Sequence, residues 1–424
     1  MMKGRSRIIS AIDIGSEKIT TLIANYQTDL SDLSSTINVI GVATSESGEE
    51  KGIKKGQIVN LEEAVESVVE SVESAERMAG YNISKACVSI GGAHIMSQNS
   101  HGVVAIANTD GEITHEDVGR VIEAASAVSL PASRLLLHVI PKEYAVDGDA
   151  GIKDPIRMEG VRLETDAHLI TASASAVKNI EKVLDEVGIK VEEFVYSGIA
   201  ASESVLTKTE KELGCILIDI GGGTTSIVVY EDGSLTYSYV LPIGSRNVTK
   251  DLATGLRVPL ESAEKIKISL SPQRKGTEVD DQIDLSKYGL DEDKKVSRKT
   301  IVEGIIRPRL NEIFSMVKIQ LEKEKLLNKI PAGAVITGGG ARVFGVEDSG
   351  KRILSLAVRI GNPHGLQGLV DEIMNPSFAV PIGLLFNASK KEPKNHLTSI
   401  SKRIKLPSIG LTGKVMKFVK DLLP

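Results

Sequence analysis

One tetrapeptide occurs twice in this 424-residue chain, and this repeat constrains the fold more than any other feature. Residues 12–15 read Ile-Asp-Ile-Gly, and the same four residues recur at 218–221. Each copy ends an apolar, strand-like run and begins another after a short polar turn. A unit repeated in this way is typical of a duplicated α/β domain. The sequence therefore predicts an α/β protein whose two like domains face each other across a cleft.

The apolar periodicity divides the chain into two domain cores, an inserted segment and a tail. A chain of this length is expected to form two domains of roughly 150–200 residues each. The predicted limits are 1–80 and 160–196 for domain I, 81–159 for a small inserted α+β subdomain, 197–375 for domain II with a smaller lobe at about 242–300, 376–387 for a closing helix that returns to domain I, 388–408 for a flexible basic linker, and 409–424 for an amphipathic helix.

Composition excludes several classes of protein. The chain has no Trp and only 3% aromatic residues, so it lacks the stacking platforms of single-strand nucleic-acid binders. Its seven histidines show no ligand-like spacing, and Cys87 and Cys215 sit in apolar, strand-like runs, so we predict neither a zinc site nor a disulfide. No run reaches the roughly 18–20 apolar residues of a membrane span. We therefore expect the body of the protein to be cytosolic.

Three glycine-bearing turns, each following an apolar strand, predict a nucleotide phosphate site. Glycines let backbone N–H groups approach phosphate oxygens, hydroxyl groups add donors, and a lysine adds positive charge. Taken alone, any one of these turns is explained as well by a tight hairpin that needs a positive φ angle. The three together favour a nucleotide. The residues of these turns predicted to bind the nucleotide are Gly15, Ser16, Glu17, Lys18, Gly221, Gly222, Gly223, Thr224, Thr225, Gly338, Gly339 and Gly340.

Asp13 and Asp219 occupy the same position in the two copies of the repeat. Paired carboxylates of this kind suit a hydrated Mg²⁺, which usually keeps several of its waters. We therefore predict that both residues hold Mg²⁺ beside the phosphates. A dinucleotide-binding GxGxxG motif is absent, and the P-loop-like stretch from Gly345 has Arg352 where Ser or Thr is needed, so we interpret it as the start of a helix.

This set of motifs resembles the superfamily of actin, heat-shock chaperones and sugar kinases. The resemblance implies two ribonuclease H-like domains around an ATP site. Val335–Arg342 is similar to the superfamily's adenosine motif, which gives Arg342 a place in the site. Glu264 and Lys267 are similar to its Glu-x-x-Lys pair, which holds the adenosine. The alternative for that pair is an exposed charged helix face.

More specifically, the chain resembles the FtsA family of bacterial cell-division proteins over nearly its whole length. His138–Gly148, Asp154–Glu164 and the following His168 carry this resemblance, although Arg157 stands where the family often has Gly. It implies that the inserted subdomain mediates head-to-tail self-assembly on the cytoplasmic face of the cell membrane at the division site, and that later division proteins are recruited there.

The same resemblance implies that the partner is the tubulin-like division protein FtsZ. The C-terminal peptide of FtsZ would dock on the smaller lobe and the long helix that follows, near Arg298, Arg309 and Glu312. Arg307 stands where an acidic residue is common in the family. The alternative is that these charges solvate an exposed helix.

We predict no catalytic residue. Relatives that hydrolyse ATP place a carboxylate or an amide near the position of Ser197 and Gly198 to orient the attacking water, and neither residue can act as a general base. Our hypothesis is that ATP is mainly a structural and assembly ligand. A steady-state turnover above roughly 1 s⁻¹ would contradict it.

The C-terminal residues predict a membrane contact. Residues 387–424 contain nine Lys or Arg and two Asp or Glu, whereas the rest of the chain has 42 against 54. At about 100° per residue the last sixteen residues form an apolar face and a basic face, as in helices that lie on anionic lipid. The alternative is a terminal helix docked on the protein's own core. The predicted membrane-binding residues are Leu411, Lys414, Val415, Lys417, Phe418, Val419, Lys420 and Leu422.

Two other functions remain open from the sequence. An actin-like ATPase of pilus assembly would share the ATP motifs and the inserted subdomain but would not need the amphipathic tail. A small-molecule kinase of the same fold would need an acidic base in the cleft, and the sequence offers no candidate.

Overall fold

The computed structural model describes residues 5–28, 35–270, 281–288, 295–369 and 371–390. The predicted terminal helix lies outside these residues, as does the predicted linker beyond Lys390. Among the described helices, none combines the length and apolar character that crossing a bilayer requires.

Domain I is built on a six-stranded sheet with helices packed against it. Its strands are β1 (Arg5–Ile14), β2 (Lys18–Thr28), β3 (Ser35–Glu46), β6 (Lys85–Ile90), β11 (Lys190–Tyr196) and β19 (Gln367–Gly368), and a small hairpin pairs β4 (Ile53–Lys54) with β5 (Gln57–Ile58). Its helices are α1 (Leu61–Ala79), α3 (Ala174–Glu186) and α11 (Ala379–Lys390). The strand order is β11-β6-β1-β2-β3-β19, and buried aliphatic side chains from the sheet and the helices form one core.

Local sequence signals explain where α1 begins and ends. The side chain of Asn60 accepts a hydrogen bond from the backbone N–H of Glu62, which satisfies one of the free donors of the first turn. Gly80 ends the helix in the left-handed conformation that glycine adopts without steric cost. Val68 and Val72, four residues apart, are buried on the face that packs on the sheet.

The inserted subdomain is a four-stranded antiparallel sheet with one helix. Its elements are β7 (Met96–Ala105), α2 (His115–Ser126), β8 (Arg134–Val146), β9 (Asp149–Ile152) and β10 (Arg162–Ser173), and the strand order is β7-β10-β8-β9. The predicted limits of 81–159 are wrong at both ends. β6 pairs in parallel with β1 and so belongs to domain I, whereas β10 pairs with both β7 and β8 and so belongs to the subdomain.

Domain II repeats the sheet-and-helix plan of domain I. Its sheet contains β12 (Cys215–Ile220), β13 (Thr225–Glu231), β14 (Ser234–Leu241), β17 (Ala334–Thr337) and β18 (Val358–Ile360), in the order β14-β13-β12-β17-β18. The other elements are α4 (Ser197–Val205), α5 (Lys208–Leu213), α6 (Arg246–Leu256), α7 (Leu260–Leu270), the two-stranded ribbon of β15 (Gln282–Asp284) and β16 (Lys295–Ser297), α8 (Arg298–Ile301), α9 (Arg307–Lys323) and α10 (Val346–Leu354).

The predicted duplication is confirmed by the strand pairing. β1 forms an antiparallel hairpin with β2 and pairs in parallel with β6 on its other side. β12 likewise forms an antiparallel hairpin with β13 and pairs in parallel with β17. Each copy of Ile-Asp-Ile-Gly therefore lies at the end of the first strand of a hairpin, at the same position in its sheet.

Two predicted helices differ in detail from the observed ones. The long helix expected after the smaller lobe is helical from Arg298 to Lys323 but contains a π-helical turn at Val302–Ile306. The closing helix begins after a 3₁₀ turn at Pro376–Phe378 and runs to Lys390, so it includes the first three residues of the predicted linker. Arg7 Nη2 donates to the carbonyl oxygens of Ala388 and Ser389 and so caps the end of α11.

The inserted subdomain also contacts domain II directly. His168, on β10, is 1% exposed, and its two ring nitrogens hydrogen-bond Asn99 on β7 and Ser238 on β14. Ser97 Oγ donates to the carbonyl oxygen of Ser238, and Ser234 Oγ donates to that of Lys142. The subdomain therefore joins the two halves of the molecule through hydrogen bonds as well as through the chain.

Candidate nucleotide-binding cleft

The three glycine turns predicted to bind phosphate converge on one cavity of about 460 Å³ between the two domains. Asp13–Lys18 form one wall, Gly221, Gly222 and Thr224 face it from domain II, and Gly338, Gly339 and Arg342 complete the third side. The sequence separates these turns by up to 325 residues, and the fold brings them together because each ends a central strand of its sheet.

Asp13 and Asp219 lie at the base of the cavity. Each is the next-to-last residue of its strand, so the strand places its carboxylate at the edge of the sheet that faces the cleft. Ser89 Oγ, at the end of β6, donates to Asp13 Oδ1 at 2.6 Å and accepts from the backbone N–H of Ile14 at 3.1 Å. The carboxylate of Asp13 is thus held in place by the neighbouring parallel strand.

The electrostatics of this pair favour a bound cation. Burial, together with the nearby charge of Asp13, raises the pKa of Asp219 to about 7. Burial also raises the pKa of Asp13, although Ser89 and Lys18 act in the opposite direction. Two buried carboxylates with raised pKa values are stabilised in their ionised form by a divalent ion. A Cβ atom at Gly338 would overlap Asp219 Oδ1, so glycine there leaves the carboxylate its space.

These two carboxylates fit a hydrated Mg²⁺. Among the described residues, no group of three or more His, Cys, Asp and Glu side chains could hold a metal ion, so side chains of these four types would supply at most two ligands here. Mg²⁺ in nucleotide sites is bound in this way, by one or two carboxylates together with water and phosphate oxygens. Asp13 and Asp219 would hold the ion, which would neutralise charge on the phosphates.

Lys18 provides a cation on the phosphate side of the cavity. Burial lowers its pKa to about 8, against the opposing effect of Asp13. Its Nζ lies 3.9 Å from the centre of the Phe378 ring, which also lines the cavity. An ammonium group over an aromatic face is partly stabilised there. A phosphate group would offer Lys18 a stronger, charge-assisted partner.

On the opposite side, Glu264 and Lys267 of α7 form the predicted pair. Lys267 Nζ donates to Glu264 Oε2 at 2.6 Å and to Thr249 Oγ1 at 2.9 Å, and Thr249 Oγ1 itself donates to Glu264 Oε2 at 2.6 Å. Ile268 and Val343 line the same part of the cavity. This combination of polar groups and apolar side chains suits a ribose and a base.

Not every predicted phosphate residue reaches the cavity wall. Thr225 is fully buried and its Oγ1 donates to the carbonyl oxygen of Ile243, which removes it from the set of phosphate donors. Gly340 packs on the side chain of Ile220, so it supports the turn from behind. Gly223 packs against Ser16, and the side chain of Glu17 lies on Gly222. The turns from the two domains therefore touch each other.

Several cavity residues carry no motif that sequence reasoning could have used. These are Ser89, Ser226, Ser245 and Phe378. Serine at a strand end is common, and the pairing of β6 with β1 that places Ser89 beside Asp13 cannot be read from the chain alone. Ser197, next to the position where a general base was sought, does line the cavity.

The residues predicted to contact a partner lie outside the cleft and make internal contacts. Arg309 forms a bidentate ion pair with Asp251 and also contacts Glu312. Arg298 donates to the carbonyl oxygen of Leu270, and its guanidinium carbon lies 4.9 Å from the centre of the Phe344 ring. Their role toward a partner stays a prediction.

The duplicated sheets, the cleft between them and the three turns at its base define the class of actin-like ATPase folds. Among solved structures, the PilM–PilN type IV pilus biogenesis complex superposes with a TM-score of 0.64 at 15% identity, covering 91% of this chain and 99% of that chain. MreB5 of Spiroplasma citri bound to ADP superposes with a TM-score of 0.51 at 14% identity, covering 90% and 95%. At such identities the likeness concerns the fold alone.

Sequence relatives identify the family. The chain is 38% identical over 401 residues to the cell division protein FtsA of Borreliella burgdorferi, covering 94% of this chain and 95% of the relative. It is 34% identical over 436 residues to FtsA of Escherichia coli K12, covering 100% and 98%. Family models match at 216–383, described as cell division protein FtsA, and at 92–171, described as the SHS2 domain inserted in FtsA. The chain belongs to the FtsA family of cell-division proteins.

Proposed function

We propose that this protein binds Mg-ATP in the cleft between its domains, assembles on the cytoplasmic face of the cell membrane at the division site, and tethers FtsZ filaments there while later division proteins are recruited. The observation that carries the nucleotide part is the meeting of Asp13, Asp219 and three glycine turns in one cavity. Membership of a cell-division family supports the division role over pilus assembly or small-molecule phosphorylation.

The membrane part of the proposal rests on the sequence of the tail. As a helix, residues 411–422 would place five apolar side chains on one face and three lysines on the other. Each lysine near an anionic surface contributes about 1 kcal/mol at moderate salt. One helix of this length binds reversibly, and many tails presented together by a filament would bind firmly through avidity.

In this proposal ATP acts mainly as a structural and assembly ligand, and its hydrolysis is slow. Within the described part of the chain, the carboxylates that line the cavity are Asp13, Glu17, Asp219 and Glu264. Asp13 and Asp219 are assigned to the metal ion, while Glu17 is paired with an arginine and Glu264 with Lys267. No carboxylate among them is left to orient an attacking water, so hydrolysis is expected to be slow.

Calorimetric titration of the full-length protein with ATP in Mg²⁺ tests the nucleotide proposal. The Asp219→Asn variant removes one carboxylate from the metal ligands and is expected to weaken Mg-ATP binding at least ~10-fold, the order of one lost charge-assisted contact. Asp348→Asn, on the exposed start of α10, is the matched control and should leave affinity unchanged. A wild-type protein that binds no nucleotide would refute the proposal.

A further inference from the structure

An ion pair joins the two domains across the phosphate end of the cleft. Glu17 belongs to the turn between β1 and β2 in domain I, and Arg246 is the first residue of α6 in domain II. Arg246 Nη1 lies 3.2 Å from Glu17 Oε1. The two side chains are 33% and 42% exposed, so the pair lies at the surface of the molecule and can open without unfolding it.

The backbone of domain II fixes Arg246 in this position. The N–H group of Arg246 donates to the carbonyl oxygen of Gly222 at 2.9 Å, and that of Ser245 donates to Gly221 at the same distance. The start of α6 is therefore bound to the phosphate turn of its own domain. Glu17 packs on Gly222 so closely that a Cβ atom there would overlap its side chain.

Arg246 also approaches a second segment of domain I. A Cβ atom at Gly48 would lie 3.0 Å from Arg246 Nη1. The neighbouring Ser47 Oγ donates to the carbonyl oxygen of Gly15 at 2.7 Å, which ties this segment to the phosphate turn of domain I. One arginine from domain II thus contacts two segments of domain I that are bonded to each other.

We infer that Glu17 and Arg246, called here the cross-cleft pair, are positioning residues that hold the two phosphate turns together and slow the release of a bound nucleotide. Glu17 lines the cavity but Arg246 does not, so Arg246 acts through Glu17 rather than on phosphate. A carboxylate beside phosphates is repulsive unless it is neutralised, and Arg246 supplies that neutralisation. Opening the cleft separates the turns and breaks the pair. This inference rests on the proposed binding of Mg-ATP.

The test is the rate at which a fluorescent ATP analogue leaves the full-length protein in Mg²⁺ when chased with excess ATP. Glu17→Gln and Arg246→Gln are each expected to speed release about two- to fivefold, the effect of losing a partly exposed ion pair. The charge exchange, Glu17→Arg combined with Arg246→Glu, should bring the rate back toward that of the wild type. High salt should shrink the difference between wild type and single variants, because it screens the pair.

Lys351→Gln is the matched control, because Lys351 forms an exposed ion pair with Glu347 on α10 at 2.6 Å that lies within one helix. Its release rate should equal that of the wild type. An unchanged release rate in Arg246→Gln would overturn the inference. Fast release in the exchanged variant would also overturn it, because it would mean that Glu17 or Arg246 contacts the nucleotide directly. If the wild type binds no nucleotide, the proposed function and the pair both fail; if it binds and the variants do not differ, only the pair fails.

Discussion

At the scale of single residues, the cleft depends on positions where a side chain has no room. Gly338 has a φ of 82°, in the left-handed region, and its Cα faces Asp219 Oδ1 and the carbonyl oxygen of Ile220. Glycine is needed there both for the backbone conformation and for the space beside the carboxylate. Gly345, seven residues later, has a φ of 79° but nothing within 4 Å of an added Cβ atom. Both positions therefore strain the backbone of any other residue, but only at Gly338 would a side chain also collide with its neighbours.

Replacing Gly338 by Ala is therefore expected to weaken Mg-ATP binding by at least ~10-fold, because the methyl group displaces the Asp219 carboxylate. Gly345→Ala is the matched control: it costs roughly 1 kcal/mol of stability through its φ angle but leaves affinity unchanged. Titration with Mg-ATP measures the affinity, and urea unfolding measures the stability. Equal affinities for the two variants would show that crowding at Asp219 does not matter.

The sequence could predict those site residues that stand in repeated or glycine-rich motifs. Asp13 and Asp219 were found because they stand in a duplicated tetrapeptide. Thr225 was wrongly included because its hydroxyl group follows the same turn, and only the strand register shows that it points toward Ile243. Arg157 stands where the resemblance implies Gly, and its φ of 69° lies in the left-handed region. A residue other than glycine is sterically strained in that conformation.

At the scale of elements, the apolar periodicity predicts how the chain divides into domains but not which sheet each strand joins. β6 and β10 are both apolar and strand-like, and periodicity gives no information on partners. Only the long-range pairing assigns them: β6 pairs with β1 and so belongs to domain I, whereas β10 pairs with β7 and β8 and so belongs to the inserted subdomain. The π-helical turn at Val302–Ile306 was likewise invisible in a helical pattern.

Two histidines, the partly buried His138 and the buried His168, connect elements from different parts of the chain. His138 Nε2, on β8, accepts a hydrogen bond from the backbone N–H of Tyr196 at 2.9 Å, and burial lowers its pKa to about 4. His168 joins β10 to β14, and burial lowers its pKa to about 3. An unfolded histidine titrates near 6.5. As the pH falls below that value, the unfolded chain takes up protons that the folded chain does not, so stability present at pH 7 is lost on acidification.

The free energy of unfolding should therefore fall by about 2 kcal/mol for each of these histidines between pH 7 and pH 5. His168→Gln should lower stability at pH 7 by removing a bridging ring, and should also reduce the further loss on acidification. His115→Gln, at an exposed position on α2, is the control and should keep the wild-type pH dependence. Urea unfolding at both pH values measures these differences. An unchanged loss in His168→Gln would contradict the argument.

At the scale of the whole molecule, three functions are proposed for three parts of one chain. We propose that the cleft between domains I and II binds the nucleotide, that the inserted subdomain mediates self-assembly, and that the tail binds lipid. Arg7, on β1, hydrogen-bonds the carbonyl oxygens of Ala388 and Ser389 and so fixes the end of α11 on domain I. The fold could be predicted from the repeated tetrapeptide, and the family from the motifs that resemble those of FtsA. The tail's binding is proposed from its composition alone.

The measurement that tests the central claim most directly is flotation of FtsZ with anionic liposomes, Mg-ATP and this protein, comparing the full-length chain with residues 1–409. Phe418→Gln on the apolar face of the tail and Asp421→Gln on its polar face are matched point variants. We predict that FtsZ floats with the full-length chain and with Asp421→Gln, and that it stays at the bottom with the truncated chain and with Phe418→Gln. If the full-length protein floats and leaves FtsZ behind, the proposed partner is wrong; if the full-length protein itself stays at the bottom, the membrane tether is wrong.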